Sequence, residues 1–562
     1  MINVVLRWLI FSFLGLYTLH AQNTYYVSPT GSNSSNGSFA SPWQTLQHAL
    51  LNVNQGDIVY FRDGIYPTQF AIAQNSGGAS TPITLKNYPN EVPIIDGSGY
   101  PLQTLLLLNS KSNIVIDGLT FRNITGNGVR GLFITGSSSN IVVKNCTFTA
   151  INEAVGQNYT PSGNALPLKV CGTDNNLPIT NISLINNHVY NCRTGFSEGI
   201  SISGNVDGFL VEGNLVHDIT NIGIVAAGFY GDCGTNKQAR NGKIQKNTVF
   251  RCRFPNLSVN ATASGIYIDG ARNVVAERNL VYECQVGLQI GSEVIGGTAN
   301  NDTLRSNLAY NNDRWGIGIG ANNYPTSSGK VQSSALLNNT VLKNASKNTD
   351  YAESDKYGEL NFTFAENSTV QNNIFSSNID NRLYTISYFS MTGNSINYNL
   401  VFANQDITPS VKRDFVHMNW ATFKTVSGHD ANSAFTDPQF NGTNIASPEL
   451  HLKPNSPAIN SGNSFFMNKV GISDFDGNNR YFNNLDIGAF EYQCPPNYIL
   501  LGDITNTGVK LEASNRIKAT NKITSNANAT YQSAKSVELL PTFKTEPGAV
   551  FKAVIDGCGN NN

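Results

Sequence analysis

Charge is scarce in this sequence. Lys and Arg number 37 against 38 Asp and Glu, so 13% of residues are charged and the net charge is -1. Without a basic excess the chain lacks the electrostatic footprint of a nucleic-acid binder, and no acidic block marks a solvated tail. Beyond residue 21 no stretch is apolar enough to cross a bilayer. No arrangement of Cys and His has zinc spacing. What the chain does have is 50 Gly and abundant Asn, Ser and Thr, the residues of tight turns and closely stacked strands. Polarity without charge also suits a hydroxyl-rich ligand.

Asparagine carries the organisation. Asn187, Asn214, Asn247, Asn279, Asn307, Asn339, Asn373 and Asn399 each precede a short apolar or aromatic pair, as in Asn279-Leu280-Val281-Tyr282. The intervals run from about 26 to about 34 residues, the period of a solenoid. Between Arg272 and Glu293, the segments 274–277, 280–282 and 287–290 read as short strands separated by polar turns. Three strands per repeat predict an all-β fold, a right-handed parallel β-helix, where a propeller would need four. Asparagines stacked at one phase can pass amide hydrogen bonds along the axis, as in other cross-β ladders. Asn191, Asp218, Arg251, Glu283 and Asn311 share a second phase that reads as a polar turn.

The third strand of each repeat aligns more sharply. Leu168-Lys169-Val170-Cys171-Gly172 shares a frame with Gly199 to Gly204, Gly223 to Gly228, Gly265 to Gly270, Gly287 to Gly291 and Gly316 to Gly320. At period two the aliphatics point inward. One outward column is then Lys169, Ser201, Val225, Tyr267, Gln289 and Gly318. The other is Cys171, Ser203, Ala227, Asp269, Gly291 and Gly320. A long face of small residues with a few ionisable ones reads as a groove floor.

The ends differ from the repeats. Residues 1–21 have the form of a secretory signal, with Arg7, an apolar run from Leu9 to Leu16, and Leu19-His20-Ala21 as the cleavage site. Residues 22–493 would form the β-helix domain. A helix from Ser41 to about Val53, with Trp43, Leu46, Ala49 and Leu50 on its apolar face, would cap the open end. Ser456-Pro457-Ala458-Ile459 and Asp486-Ile487-Gly488-Ala489-Phe490 read as irregular last coils. Cys494-Pro495-Pro496 marks a boundary before a small β-rich module, 494–562. Of the 8 cysteines, Cys192, Cys252 and Cys284 share one phase and read as a buried column of free thiols. Cys494 and Cys558 are the candidate disulfide.

Tyr25-Tyr26-Val27-Ser28-Pro29-Thr30-Gly31, Ser41-Pro42-Trp43-Gln44-Thr45-Leu46 and Gly56-Asp57-Ile58-Val59-Tyr60-Phe61-Arg62-Asp63-Gly64 resemble the opening of family 9 pectate lyases and chondroitinase B-type lyases, secreted proteins of the pectin-lyase-like β-helix class. The stretch from Leu168 to about Gly320 is similar to a bacterial branch of right-handed β-helix proteins, and the final segment is similar to coat-hanger stack modules on surface and secreted proteins of Bacteroidetes. The resemblance implies a secreted or cell-surface, carbohydrate-active monomer that acts on an acidic polysaccharide. Charge and hydropathy give no nucleic-acid partner and no membrane span in the mature chain, and the C-terminal module would serve attachment or export. Val225 stands where the related branch often has Asp, and no segment matches the calcium-binding aspartate cluster of the family 9 lyases.

Lys169, Glu198 and Asp269 are the catalytic candidates. A neutral lysine on the groove floor can remove the proton α to a uronate carboxylate, provided that burial or a cation depresses its pKa. A calcium ion held by Glu198, Asp269 and Glu293 would acidify that proton. The alternative is glycoside hydrolysis by paired carboxylates such as Asp269 with Glu293 or Glu198. A third reading is a glycan-binding adhesin without catalysis. Tyr267, Gln289, Arg272, Arg240 and Trp315 are the candidate sugar contacts, Arg240 at the end of an insertion from Tyr230 that overhangs the groove with Asp232. Arg272 and Arg278 are equally read as partners of Glu277 and Glu293. Lys169 and Asp269 lie three repeats apart, roughly 14 to 15 Å along the axis at one strand spacing per coil. That separation implies two clusters, Lys169 with Glu198 and Asp269 with Glu293.

Overall fold

The computed structural model describes residues 22–555, apart from 68–69, 100–102, 155–162, 255–262, 322–323, 348–356, 378–381, 388–391, 404–409, 415, 466, 481–483 and 494–496. The leader-like segment 1–21 and both members of the Cys494 and Cys558 pair lie outside the described residues. No helix of the described residues is long and apolar enough to cross a membrane.

Three 13-stranded sheets run the length of the solenoid, and each chain turn contributes one strand to each. The sheet that bears the site contains β1 (Ala165–Gly172), β2 (Ile200–Gly204), β3 (Ile224–Ala227), β4 (Ser264–Asp269) and β5 (Val286–Gly291) in that order. All four pairings are parallel, because each coil returns the chain to the same edge one level up. Leu168, Ile200, Ile224, Ile266 and Leu288 stack inward with no exposure to solvent. The outward column Lys169, Ser201, Val225, Tyr267, Gln289 and Gly318 is in register as the period-two pattern predicts.

The asparagine ladder is continuous from Asn187 to Asn399 and buried throughout. Asn247 shows the unit: its Nδ2 donates to Asn279 Oδ1 (2.9 Å) and to the Val211 carbonyl (3.0 Å). Its Oδ1 accepts from the backbone N–H and the Nδ2 of Asn214, both at 2.9 Å. An amide with two donors and an acceptor that takes two bonds is thus satisfied without water. The residue before each ladder asparagine turns the corner at positive φ, as at Lys246 (φ 55), Arg278 (φ 58) and Ser306 (φ 52). The second phase does the same: Asn191, Asp218, Arg251, Glu283 and Asn311 all have φ between 52 and 55. Cys192, Cys252 and Cys284 are buried free thiols, as is Cys146.

The cap and the tail correct two expectations. The N-terminal helix is shorter than predicted, α1 (Leu46–Asn52), because Thr45 caps it through a bond from the His48 N–H. Trp43, placed on the helix by spacing, instead bridges to Val27 in the first strand. The segments around Ala458 and Phe490 are not further coils. They lie along the outside of the sheet that follows the ladder, where Leu308, Tyr310, Leu342, Ile374 and Leu400 face outward and require an apolar cover. Ala489 N–H donates to Thr340 Oγ1, and Asn338 Nδ2 donates to the Asp486 carbonyl. Arg480, fully buried, joins Glu491 (2.8 Å) to Ser306 of the solenoid. Asp486 holds this segment by accepting from the Asn460 and Tyr492 N–H groups, so the Asp-Ile-Gly-Ala-Phe-Glu-Tyr signature is a clamp. Residues 497–555 form three small parallel sheets around a separate apolar core that includes Ile517, Ala529 and Tyr531.

Candidate active site

A cleft of about 660 Å³ opens over β1 to β4, with Arg130, Lys169, Glu198, Tyr230, Asp232, Asp269 and Glu293 among its lining. The register keeps Lys169 and Asp269 three coils apart, yet they belong to one cleft rather than to two clusters. Two features close the gap. Lys169 leans along the ladder, and its Nζ donates to Ser201 Oγ (3.1 Å) and Ser203 Oγ (3.2 Å) one coil further on. Tyr230, from the insertion after β3, reaches back over the groove and places its hydroxyl, with its single proton, 2.5 Å from Asp269 Oδ2 and 3.2 Å from Glu293 Oε2.

A disulfide holds that insertion down. Cys171, at the end of β1, is bonded to Cys233 in the short 3₁₀ turn Gly231–Cys233, with Cα atoms 5.1 Å apart. The turn crosses so close to β2 that a Cβ on Gly204, whose φ is 74°, would overlap the Cys233 carbonyl. Only glycine permits both the backbone conformation and the approach.

Burial dominates the electrostatics. Asp269 is 3% exposed; loss of water and the neighbouring Glu293 push its pKa well above the ordinary 3.8, against the pull of the Tyr230 hydroxyl. Its Oδ1 accepts from the Glu293 N–H (2.9 Å), so both oxygens are engaged, and neither bonds to the Gly270 turn. Glu293 stands at the mouth, open to solvent on its outer side, and desolvation on the inner side raises its pKa as well. Glu198 is raised by burial too, opposed by the charge of Lys169 and a hydrogen bond from Ser201. The Tyr230 phenol is raised by burial and by Asp269 and Glu293, which keeps it a proton donor. At the far end Arg130 lies over the Phe133 ring at 4.4 Å, with its Nε lacking a hydrogen-bond partner among the described residues.

The floor between these groups is apolar: Val225 packs with Ile222, Ala227 and Tyr267. Three predicted sugar contacts lie elsewhere. Arg240 turns away to Asp207 (3.0 Å) and Asn205 (3.0 Å), since it begins the strand of a different sheet. Arg272 is exposed on the turn after β4 and does not line the cleft; Glu277 pairs with Lys243 and Arg305 instead. Trp315 is 2% exposed and packs on Tyr357, so its ring has no free face for a sugar. Tyr267 and Gln289 do face the groove, in a second concavity that shares Glu293 with the first.

The expected calcium cage does not form. Calcium takes six to eight oxygen ligands from ionised or carbonyl groups, whereas the oxygens of Asp269 are spent on protein donors. Among the described residues, Cys171, Asp232 and Cys233 are the one trio of potential ligands that converges, and its sulfurs are consumed by the disulfide. Tyr230 and Arg130 were not singled out by sequence. Tyr230 begins the insertion expected to overhang the groove. Arg130 emerges when the strand alignment is carried one coil earlier, where Phe133 pairs with Lys169 and Arg130 with Leu166.

Residues 25–356 match the family described as Pel9A-like, right handed beta helix region. Over 449 residues the chain is 31% identical to the uncharacterized protein YwoF of Bacillus subtilis (strain 168), covering 77% of this chain and 91% of that protein. Over 77 residues it is 40% identical to the pectate lyase PEL9 of Emericella nidulans, 14% of this chain and 19% of that one. The solved structure of pectate lyase Pel9A is similar at 15% identity and a TM-score of 0.45, covering 84% of this chain and 97% of that chain. With its family region spanning more than half its length, this chain belongs to the Pel9A-like right-handed β-helix family.

Proposed function

We propose that the cleft cleaves a uronate-containing polysaccharide by β-elimination. The observation that supports this is the joining, in one cleft, of Arg130 and Lys169 at one end and of Asp269 and Glu293 under a tyrosine hydroxyl at the other. The Arg130 guanidinium at the cleft suits a uronate carboxylate, and its charge offsets the negative charge that builds up as the α-proton leaves. Lys169 is the base. Its role requires the neutral amine, and its Nζ is held on the groove floor by the Ser201 and Ser203 hydroxyls. As the α C–H bond breaks, its electron pair becomes the new C=C bond and the bond to the leaving oxygen breaks. That oxygen takes a proton from the Tyr230 and Glu293 side of the cleft, where both pKa values are raised. The leader-like residues 1–21 and the Cys171–Cys233 disulfide support an exported protein, since disulfides persist in oxidising compartments.

Hydrolysis is the second reading, favoured by the upward shifts of Glu198 and Glu293, which make each a potential general acid. Incubation with a panel of uronate polysaccharides separates the readings. Elimination yields product with the ultraviolet absorbance of an unsaturated uronate, and Lys169→Ala abolishes it. New reducing ends without that absorbance would establish hydrolysis, and binding without either product would leave a lectin-like protein.

A further inference from the structure

The groove does not end at Glu293. A second concavity of about 300 Å³ continues it along the same outward column, lined by Tyr267, Gln289, Ser292, Glu293 and Ser327. A glycan lying on the column passes from the first cavity into the second, because Glu293 lines both.

The two cavities differ in charge. Arg130 and Lys169 serve the first; among the described residues that line the second, Glu293 is the one carboxyl group and there is no cation. A uronate carboxylate placed there would lose water and gain no counter-ion, which is the costly case for a buried charge. The hydrogen-bonding groups are neutral. The Gln289 amide presents two donors and an acceptor. The Ser292 hydroxyl lies beneath the floor of this cavity, buried and without a hydrogen-bond partner among the described residues. Gly297 and Gly329 make room for this hydroxyl itself: a Cβ on either would come within 2.8 or 2.5 Å of Ser292 Oγ.

We infer that this second cavity is a subsite for an uncharged pyranose unit, so that the glycan carries a uronate in the first cavity and a neutral or esterified sugar in the second. The inference rests on the uronate reading of the first cavity, but its test does not rest on catalysis. Binding is measured by calorimetry with the full-length Lys169→Ala variant against three sets of oligosaccharides: de-esterified galacturonate oligomers, partially methyl-esterified galacturonate oligomers, and oligomers alternating galacturonate with rhamnose.

The expected result is that at least one of the last two sets binds about tenfold more tightly than the first, the cost of one uncompensated charge. Preference for the esterified set alone identifies an esterified uronate, and preference for the alternating set alone a neutral sugar. Gln289→Lys then tightens binding of the de-esterified oligomers and narrows the gap. Equal affinity for all three sets, no binding of any, or an order unchanged by Gln289→Lys overturns the subsite. Loss of the elimination reading would appear separately, as absence of unsaturated product from the wild-type protein while the order of affinities holds.

Discussion

Removing one rung of the buried asparagine ladder tests the account of the scaffold most directly. Asn247→Ala deletes four hydrogen bonds of 2.9 to 3.0 Å. It strands the Asn214 backbone N–H and one of the two Asn214 amide N–H groups (the other keeps the Leu184 carbonyl at 2.9 Å), and it takes from the Val211 carbonyl its side-chain donor, all in the interior. Asn279 Oδ1 keeps a bond from the Asn247 N–H (3.0 Å) and is only partly orphaned. A buried polar group left without a partner costs about 1–3 kcal/mol. Three such groups give about 3–9 kcal/mol; water entering the vacated space brings the expectation to about 4 kcal/mol. The control is an asparagine in a ladder on the outside of the solenoid. Asn241 receives from Asn273 Nδ2 (3.0 Å) and donates to Asp207 (2.7 Å), and it is exposed. Water replaces these partners and glycine suits the positive φ of 54° at this position, so Asn241→Gly should cost less than about 1 kcal/mol. Chemical denaturation of the two variants, with hydrogen exchange at the neighbouring coils, measures the difference. Equal losses would show that stacking alone, not satisfaction of buried amides, holds the corner.

Two further outcomes concern the site. Asp269 has a folded pKa raised above its ordinary 3.8, so the folded state binds the extra proton, and its contribution to stability is present below that value and lost as pH rises through the folded pKa. Asp269→Asn should therefore flatten the fall in melting temperature from acid to neutral pH, and an unchanged slope would argue against a proton held there. Replacing both Cys171 and Cys233 by Ser removes a cross-link across 62 residues, worth up to about 4 kcal/mol by loop entropy. The double variant should keep its β circular dichroism, become protease-sensitive between residues 230 and 240, and lose product formation; full activity with an intact loop would show that Tyr230 needs no tether.

Periodic features were legible in the sequence, and one-off features were not. The Asn187 to Asn399 ladder and the column from Lys169 to Gln289 obey local rules that each coil repeats, so pattern alone gives them their register. The meeting of Lys169 with Asp269 in one cleft obeys no such rule. It depends on a lysine rotamer directed at Ser203 and on Tyr230, which contacts Glu293 across 63 positions. Trp315 and Arg240 failed as sugar contacts because aromatic or basic character does not say which neighbour a side chain will meet. Here those neighbours are Tyr357 and Asp207. The tail was misread for a related reason: Ala458 and Phe490 are apolar like coil residues, but they fill an outward face that the alternation of Leu308 and Tyr310 leaves uncovered.

A solenoid imposes a fixed spacing on anything built on its face. Adjacent coils are about 4.8 Å apart, so groups on strands three levels apart cannot meet through the backbone. Chemistry at one sugar linkage then needs parts that break the repeat. In this chain the insertion after β3 supplies Tyr230, the Cys171–Cys233 bond fixes it, and Gly204 clears its path. Val225, between Ser201 and Tyr267 in the column, contributes no charge and leaves an apolar gap on the floor. The groups to which we assign proton transfer therefore stand on two sides of that gap, Lys169 on one and Tyr230 and Glu293 on the other. Elimination needs a base at one carbon and an acid at the neighbouring leaving oxygen. In the proposed elimination Lys169 supplies the first and the Tyr230 and Glu293 side the second, which requires the scissile linkage to lie over the apolar floor at Val225.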